Sequence, residues 1–71
     1  MVNDKDKLKV VIEHWIEHNK EHAEEFREWA SKAKGFGEDA ASDNIAKAAG
    51  QLEEANASLL TALKALTGEK S

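Results

Sequence analysis

Three histidines at four-residue intervals are the side chains of this sequence with the most scope for chemistry. His14, His18 and His22 are its only histidines, and their i, i+4, i+8 spacing places them along one side of an α-helix. Two imidazoles one helical turn apart can hold a borderline metal ion such as Zn, Ni, Co or Cu. All three cannot share one ion, because His14 and His22 are separated by a rise of about 12 Å.

Two glutamates extend this ladder of histidines. Glu21 follows His18 by three residues, and Glu25 follows His22 by three residues. We expect His18, His22 and Glu25 to form the better ligand set, with His14, His18 and Glu21 as an overlapping one. In a homodimer, a second copy could supply further ligands. The alternatives are that His14 and Glu21 are solvated, that His18 is a polar interface residue, and that His22 is a buried neutral imidazole.

The patterns of common enzymes are missing from the sequence. There is no cysteine, which excludes thiolate metal sites and thiol catalysis. No HExxH zinc-protease motif occurs, and the His-x-x-Glu order reverses the Glu-x-x-His order of di-iron bundles. We therefore expect a non-catalytic protein that binds a transition metal for sequestration, delivery or sensing.

Composition excludes further classes of function. Charged residues make up 34% of the 71 residues and the formal net charge is −4, which disfavours a surface that tracks nucleic-acid phosphates. No segment approaches the roughly 18 apolar residues of a membrane span, and no signal peptide is recognisable. We expect one domain over residues 1–71, soluble and cytoplasmic, that binds neither nucleic acid nor a membrane.

One long helix, about residues 4–34, is predicted to carry the histidines. No glycine or proline interrupts this segment, and Asn3 or Asp4 can cap its start. We expect Trp15 and Trp29 to be core residues rather than a cofactor cage. Helical periodicity predicts a buried face centred on Trp15. That face consists of Leu8, Val11, Ile12, Trp15, Asn19, His22, Phe26, Trp29, Ala30 and Ala33.

A turn at residues 35–37 and a second helix at about 38–67 complete the predicted antiparallel hairpin. Gly35 is placed to end the first helix in the left-handed conformation, and Phe36 can fold back onto the last turn. Asn19 falls opposite Asn56, which predicts a hydrogen-bonded polar layer that could also orient the imidazoles. The buried face of the second helix comprises Ala41, Ile45, Ala48, Ala49, Leu52, Ala55, Asn56, Leu59, Leu63 and Leu66.

Two helices rarely bury enough apolar surface to fold alone, because so short a chain gives a core worth at most about 3–5 kcal/mol. We therefore expect an all-α homodimer in which two hairpins form a four-helix bundle. A monomeric hairpin is one alternative. The other is an interaction module that docks a helix of a protein partner against its apolar face, with the histidines as structural polar groups.

Some stretches of the first helix carry a family resemblance. The run HWIEHN at residues 14–19, followed by EHAEEF at residues 21–26 and by Trp29, resembles a small prokaryotic helical domain of unknown function. The resemblance covers nearly the full length of the chain and implies a helical hairpin, but it implies no activity. This sequence departs from the pattern at Gly50 and in the extra Ala and Ser of the second helix, which bears on how tightly the core packs.

Overall fold

The protein is an antiparallel pair of long helices, in a computed structural model that describes residues 3–68. Helix α1 spans Asp4–Gly35 and helix α2 spans Asp39–Thr67. The two helices pack against each other, which confirms the all-α hairpin expected from the sequence. The side chain of Asn3 caps α1, because its Oδ1 accepts a hydrogen bond from the backbone N–H of Asp6 at 2.8 Å and satisfies a free donor of the first turn.

The turn ends α1 with a left-handed glycine, but this residue is Gly37 and not Gly35. Gly35 is still helical and Phe36 is the cap. The backbone N–H of Glu38 donates to the carbonyl of Ala33 at 2.9 Å, the long bond of a Schellman motif. Gly37 has φ +89°, which favours glycine. The left-handed conformation expected at Gly35 is therefore wrong, and so is the inward packing of Phe36, which is 66% exposed.

The helices meet along a seam with a seven-residue repeat. Its positions lie alternately three and four residues apart in both helices, the spacing of a coiled coil, and all are buried or half-buried. In α1 the seam consists of Lys9, Ile12, Ile16, Asn19, Ala23, Phe26, Ala30 and Ala33. In α2 it consists of Ser42, Ile45, Ala49, Leu52, Asn56, Leu59, Leu63 and Leu66.

The buried face predicted around Trp15 is wrong for four of its large members. Leu8, Val11, Trp15 and Trp29 are 41%, 38%, 45% and 54% exposed. A single neighbouring helix covers only two of every seven positions, whereas the apolar face of α1 is wider than that. The seam is therefore rotated away from these residues, and it includes Ala23, which is 3% exposed.

Polar contacts fix the register of the seam. Asn19 Nδ2 donates to Asn56 Oδ1 at 3.1 Å, and Asn56 Nδ2 donates to the carbonyl of Ile16 at 3.0 Å. These bonds confirm the polar layer expected at this level. Nearer the turn, the buried hydroxyl of Ser42 donates to the carbonyl of Ala30 at 2.7 Å. A shift of either helix would break both sets of bonds, so they select one alignment.

We expect Asn56→Ala to lower the free energy of unfolding by about 1–3 kcal/mol, because it leaves the half-buried amide of Asn19 without its acceptor. Replacing both Asn19 and Asn56 by leucine should recover the lost stability, since no amide is then left unpaired. Urea unfolding followed by the helical circular dichroism signal measures both variants. A double variant less stable than Asn56→Ala would contradict this prediction.

Candidate functional site

The seam gives the hairpin two unlike flanks. The aromatic flank of α1 is defined here as Leu8, Val11, Trp15, His18, His22 and Trp29. On the other side of the seam, the charged flank of α1 comprises Glu13, Lys20, Arg27 and Lys34. The row of α2 that lies beside the aromatic flank consists of four alanines spaced seven residues apart, Ala41, Ala48, Ala55 and Ala62. On the charged side, Arg27 pairs with Glu53 of α2. The exposed tryptophans thus lie on one side of the seam, whereas the other side combines charged residues with Leu60, which is 46% exposed and lies beside Glu13.

The histidine ladder forms a column of rings along the aromatic side of α1. The ring centroids of His14 and His18 lie 5.6 Å apart with nearly parallel planes. Those of His18 and His22 lie 4.5 Å apart at an interplanar angle of 74°, and His22 contacts Phe26 with 6.1 Å between centroids. The four-residue spacing therefore produces direct contact between successive rings, as the helical geometry requires.

Glu25 contacts the last imidazole of the ladder. Its Oε1 lies 3.4 Å from His22 Nδ1, and the side chain of His22 is 44% exposed. His22 is therefore half-exposed, so the alternative in which its ring is buried is wrong on that point. A carboxylate beside one ring nitrogen is the arrangement found behind many histidines whose other nitrogen binds a metal. The contact with Glu25 can hold the His22 ring in one orientation.

The structure brings the preferred ligand set together only in part. His18 and His22 are adjacent and Glu25 touches His22, whereas Glu21 makes no ion pair with a histidine within residues 3–68. In that same range, no three His, Asp or Glu side chains are grouped so that they could hold a metal ion. One chain therefore offers the pair His18 and His22 and needs ligands from elsewhere to complete a site.

Asn19 and Asn56 lie in the seam, behind the ladder. Their side-chain amides are hydrogen-bonded to each other and to the carbonyl of Ile16. In the described part of the chain, neither amide is hydrogen-bonded to an imidazole. Their structural contribution is to the register of α1 against α2, which sets the height of the histidines in the hairpin.

A groove beside the ladder is a feature that the sequence analysis missed. Its volume is about 630 Å³, and it is lined by Glu25, Phe26, Trp29, Asn44, Ile45 and Ala48. Ala48 lies opposite Phe26 and Trp29, and its small methyl group leaves the groove open. Trp29 is held at its edge by Lys32, whose Nζ lies 4.4 Å from the ring centroid, a cation–π contact.

Over residues 3–68, neither helix combines the length and the apolar character that crossing a membrane requires.

Comparison with known proteins identifies a family but no activity. A family model described as a domain of unknown function (DUF8180) matches residues 8–66. The match includes the three histidines and nearly all of both helices, and it confirms the resemblance to a small domain of unknown function. No curated protein and no solved structure matches the chain.

Proposed function

We propose that this chain, which belongs to the family of the domain of unknown function DUF8180, acts as a homodimeric, non-catalytic helical module. In this proposal two hairpins associate through their aromatic flanks and form a four-helix bundle. The observation that carries the proposal is the exposure of both Trp15 and Trp29 on one flank of the hairpin. Tryptophan is enriched where proteins associate, because its large ring removes much apolar surface from water.

The small core of the hairpin supports association. Within residues 3–68 the buried apolar residues are Ile12 and four alanines, and no large side chain is fully buried. Alanine contributes little to the free energy of folding, since burial stabilises by about 25 cal/mol per Å² of apolar surface. Covering Leu8, Val11 and the two tryptophans would add the larger side chains that the hairpin core lacks.

A second copy of this chain fits the aromatic flank better than a charged partner does. The six flank residues of α1 carry no carboxylate, lysine or arginine, and the adjoining row of α2 is alanine. The two charged residues on the same face of α1, Glu25 beside His22 and Lys32 over Trp29, have opposite signs. Two such surfaces can therefore meet without repulsion between like charges. The Cα atoms extend over 53 × 26 × 12 Å, so the broad face of the hairpin exceeds the roughly 800 Å² that each partner buries in a standard interface.

The proposed module is non-catalytic and cytoplasmic. In residues 3–68 the ring contacts of the imidazoles go to one another, to Phe26 and to Glu25. No hydroxyl is hydrogen-bonded to an imidazole in that range, so no nucleophile is paired with a base. The absence of cysteine suits a reducing compartment, and the net charge of −4 argues for a protein partner rather than a nucleic acid.

Val11→Glu should weaken the homodimer by at least about tenfold in dissociation constant, because it buries a carboxylate between two apolar flanks. Val10→Glu is the matched control: it changes the neighbouring valine, which is 64% exposed and lies outside the aromatic flank. Light scattering across a dilution series measures the mass relative to the 7.8 kDa chain. A wild-type protein that stays monomeric at all concentrations, or equal effects of the two variants, would contradict the proposal.

Transition-metal binding for sequestration, delivery or sensing is a second candidate function. The observation that favours it is the adjacency of His18 and His22, whose centroids lie 4.5 Å apart. One nitrogen from each ring can reach a common ion at Zn–N bonds of about 2.0–2.1 Å. Glu25 can add a ligand or hold His22 in place, and Zn, Ni, Co and Cu are the ions that suit imidazole.

Calorimetric titration with Zn²⁺ or Ni²⁺ tests this second function. We expect His18→Ala and His22→Ala each to lower the affinity by more than about tenfold, because each removes one of two chelating nitrogens. His14→Ala is the comparison, since the centroids of His14 and His18 lie 5.6 Å apart against 4.5 Å for His18 and His22, and it should retain most of the affinity. Wild-type heats no larger than those of His18→Ala would exclude this function.

A further inference from the structure

We infer that the two copies pack α1 against α1 in antiparallel orientation, with the two-fold axis passing through the histidine layer, which we define as His18 and His22. Both copies then contribute imidazoles to one transition-metal site on the axis. The inference rests on the proposed homodimer and adds its orientation and a ligand set that neither chain possesses alone.

The position of the histidine layer is the first argument. Helix α1 spans Asp4–Gly35, so its centre lies within one residue of Lys20, which is midway between the two histidines. A two-fold axis perpendicular to α1 at this level places His18 of each copy beside His22 of the other. It also leaves the two helices overlapping over their whole length, so the aromatic flanks are covered at both ends.

The two halves of the aromatic flank are complementary under this rotation. A residue a given distance before the centre faces the residue the same distance after it. Val11 of one copy therefore faces Trp29 of the other, and Trp15 faces Glu25 and the residues that follow it. That segment lines the open groove, together with Ile45 and Ala48 of α2. The indole of Trp15 is thus the side chain that fills the groove of the second copy.

The other two-fold arrangement, with its axis along the helices, places α1 against α2 of the second copy. Asn19 and Asn56 are hydrogen-bonded across the seam, so the residues of α2 near Asn56 lie level with the histidine layer. On that flank α2 carries Gln51, Ala55 and Ser58 and no histidine. Only the perpendicular axis therefore brings imidazoles of both copies to one point.

Four imidazoles around one point suit a divalent transition metal. Structural Zn²⁺ is held by four ligands in tetrahedral geometry, and each copy supplies two rings whose centroids already lie 4.5 Å apart. Glu25 lies 3.4 Å from His22 Nδ1, so in this arrangement it is a positioning residue. It holds the ring with Nε2 toward the ion, the role carboxylates have behind many metal-bound histidines.

Spin labels at single introduced cysteines test the orientation, because the natural chain has no cysteine. With the axis at the centre of α1, labels at Ser31→Cys are separated by about 33 Å along the helices and labels at Glu17→Cys by about 9 Å. Both positions lie outside the aromatic flank. A long distance at 31 and a short one at 17 supports the inference. Similar distances at both positions would overturn it and leave the homodimer standing, whereas a monomer would overturn both.

The stoichiometry of Zn²⁺ alone tests the shared site. Native mass spectrometry should show one ion per two chains, and saturating Zn²⁺ should lower the dimer dissociation constant at least tenfold, because binding and association are linked. We expect Glu25→Gln to weaken Zn²⁺ binding and Glu21→Gln, the matched control, to leave it unchanged. One ion per chain, or an unchanged dimer dissociation constant, would overturn the shared site. Either result would leave the proposed homodimer standing.

Discussion

The contact between two helices with a seven-residue repeat determines the rest of this molecule. Such a contact covers two of every seven positions, and in α1 these positions hold mostly small or polar residues. Ala23, Ala30 and Ala33 are nearly fully buried, so α2 can approach closely. Leu8, Val11 and the two tryptophans lie one position away from seam residues, where α2 cannot cover them. The exposed tryptophans, the groove and the surface position of the histidines all follow from this narrow contact.

The elements of the fold could be predicted because they depend on local signals. Uninterrupted helix formers, the Asn3 cap and a glycine-containing turn predict two helices, and the opposed asparagines predict the polar layer. The rotation of the seam could not be predicted in the same way. A hydrophobicity pattern gives Trp15 and Trp29 more weight than Ala23, whereas close packing of two helices favours the smaller side chain. Tertiary packing therefore overrode the sequence pattern.

The candidate site shows the same division between local and non-local information. Four-residue spacing predicts that His14, His18 and His22 form a column, and three-residue spacing places Glu25 beside His22. The groove depends on which face of α1 meets Ile45 and Ala48, so it could be seen only with both helices in place. The complete set of metal ligands could not be predicted from the spacing either, because a second copy would have to supply the nitrogens that one chain lacks.

Quenching of tryptophan fluorescence by acrylamide, followed as the protein is diluted, tests most directly whether the aromatic flank is covered. The chain has two tryptophans, and both lie on this flank. We expect both to be shielded at high protein concentration and to become accessible on dilution, while the circular dichroism signal shows that the helices persist. Quenching as strong as that of free tryptophan at every concentration, with the helices intact, would contradict self-association through this flank.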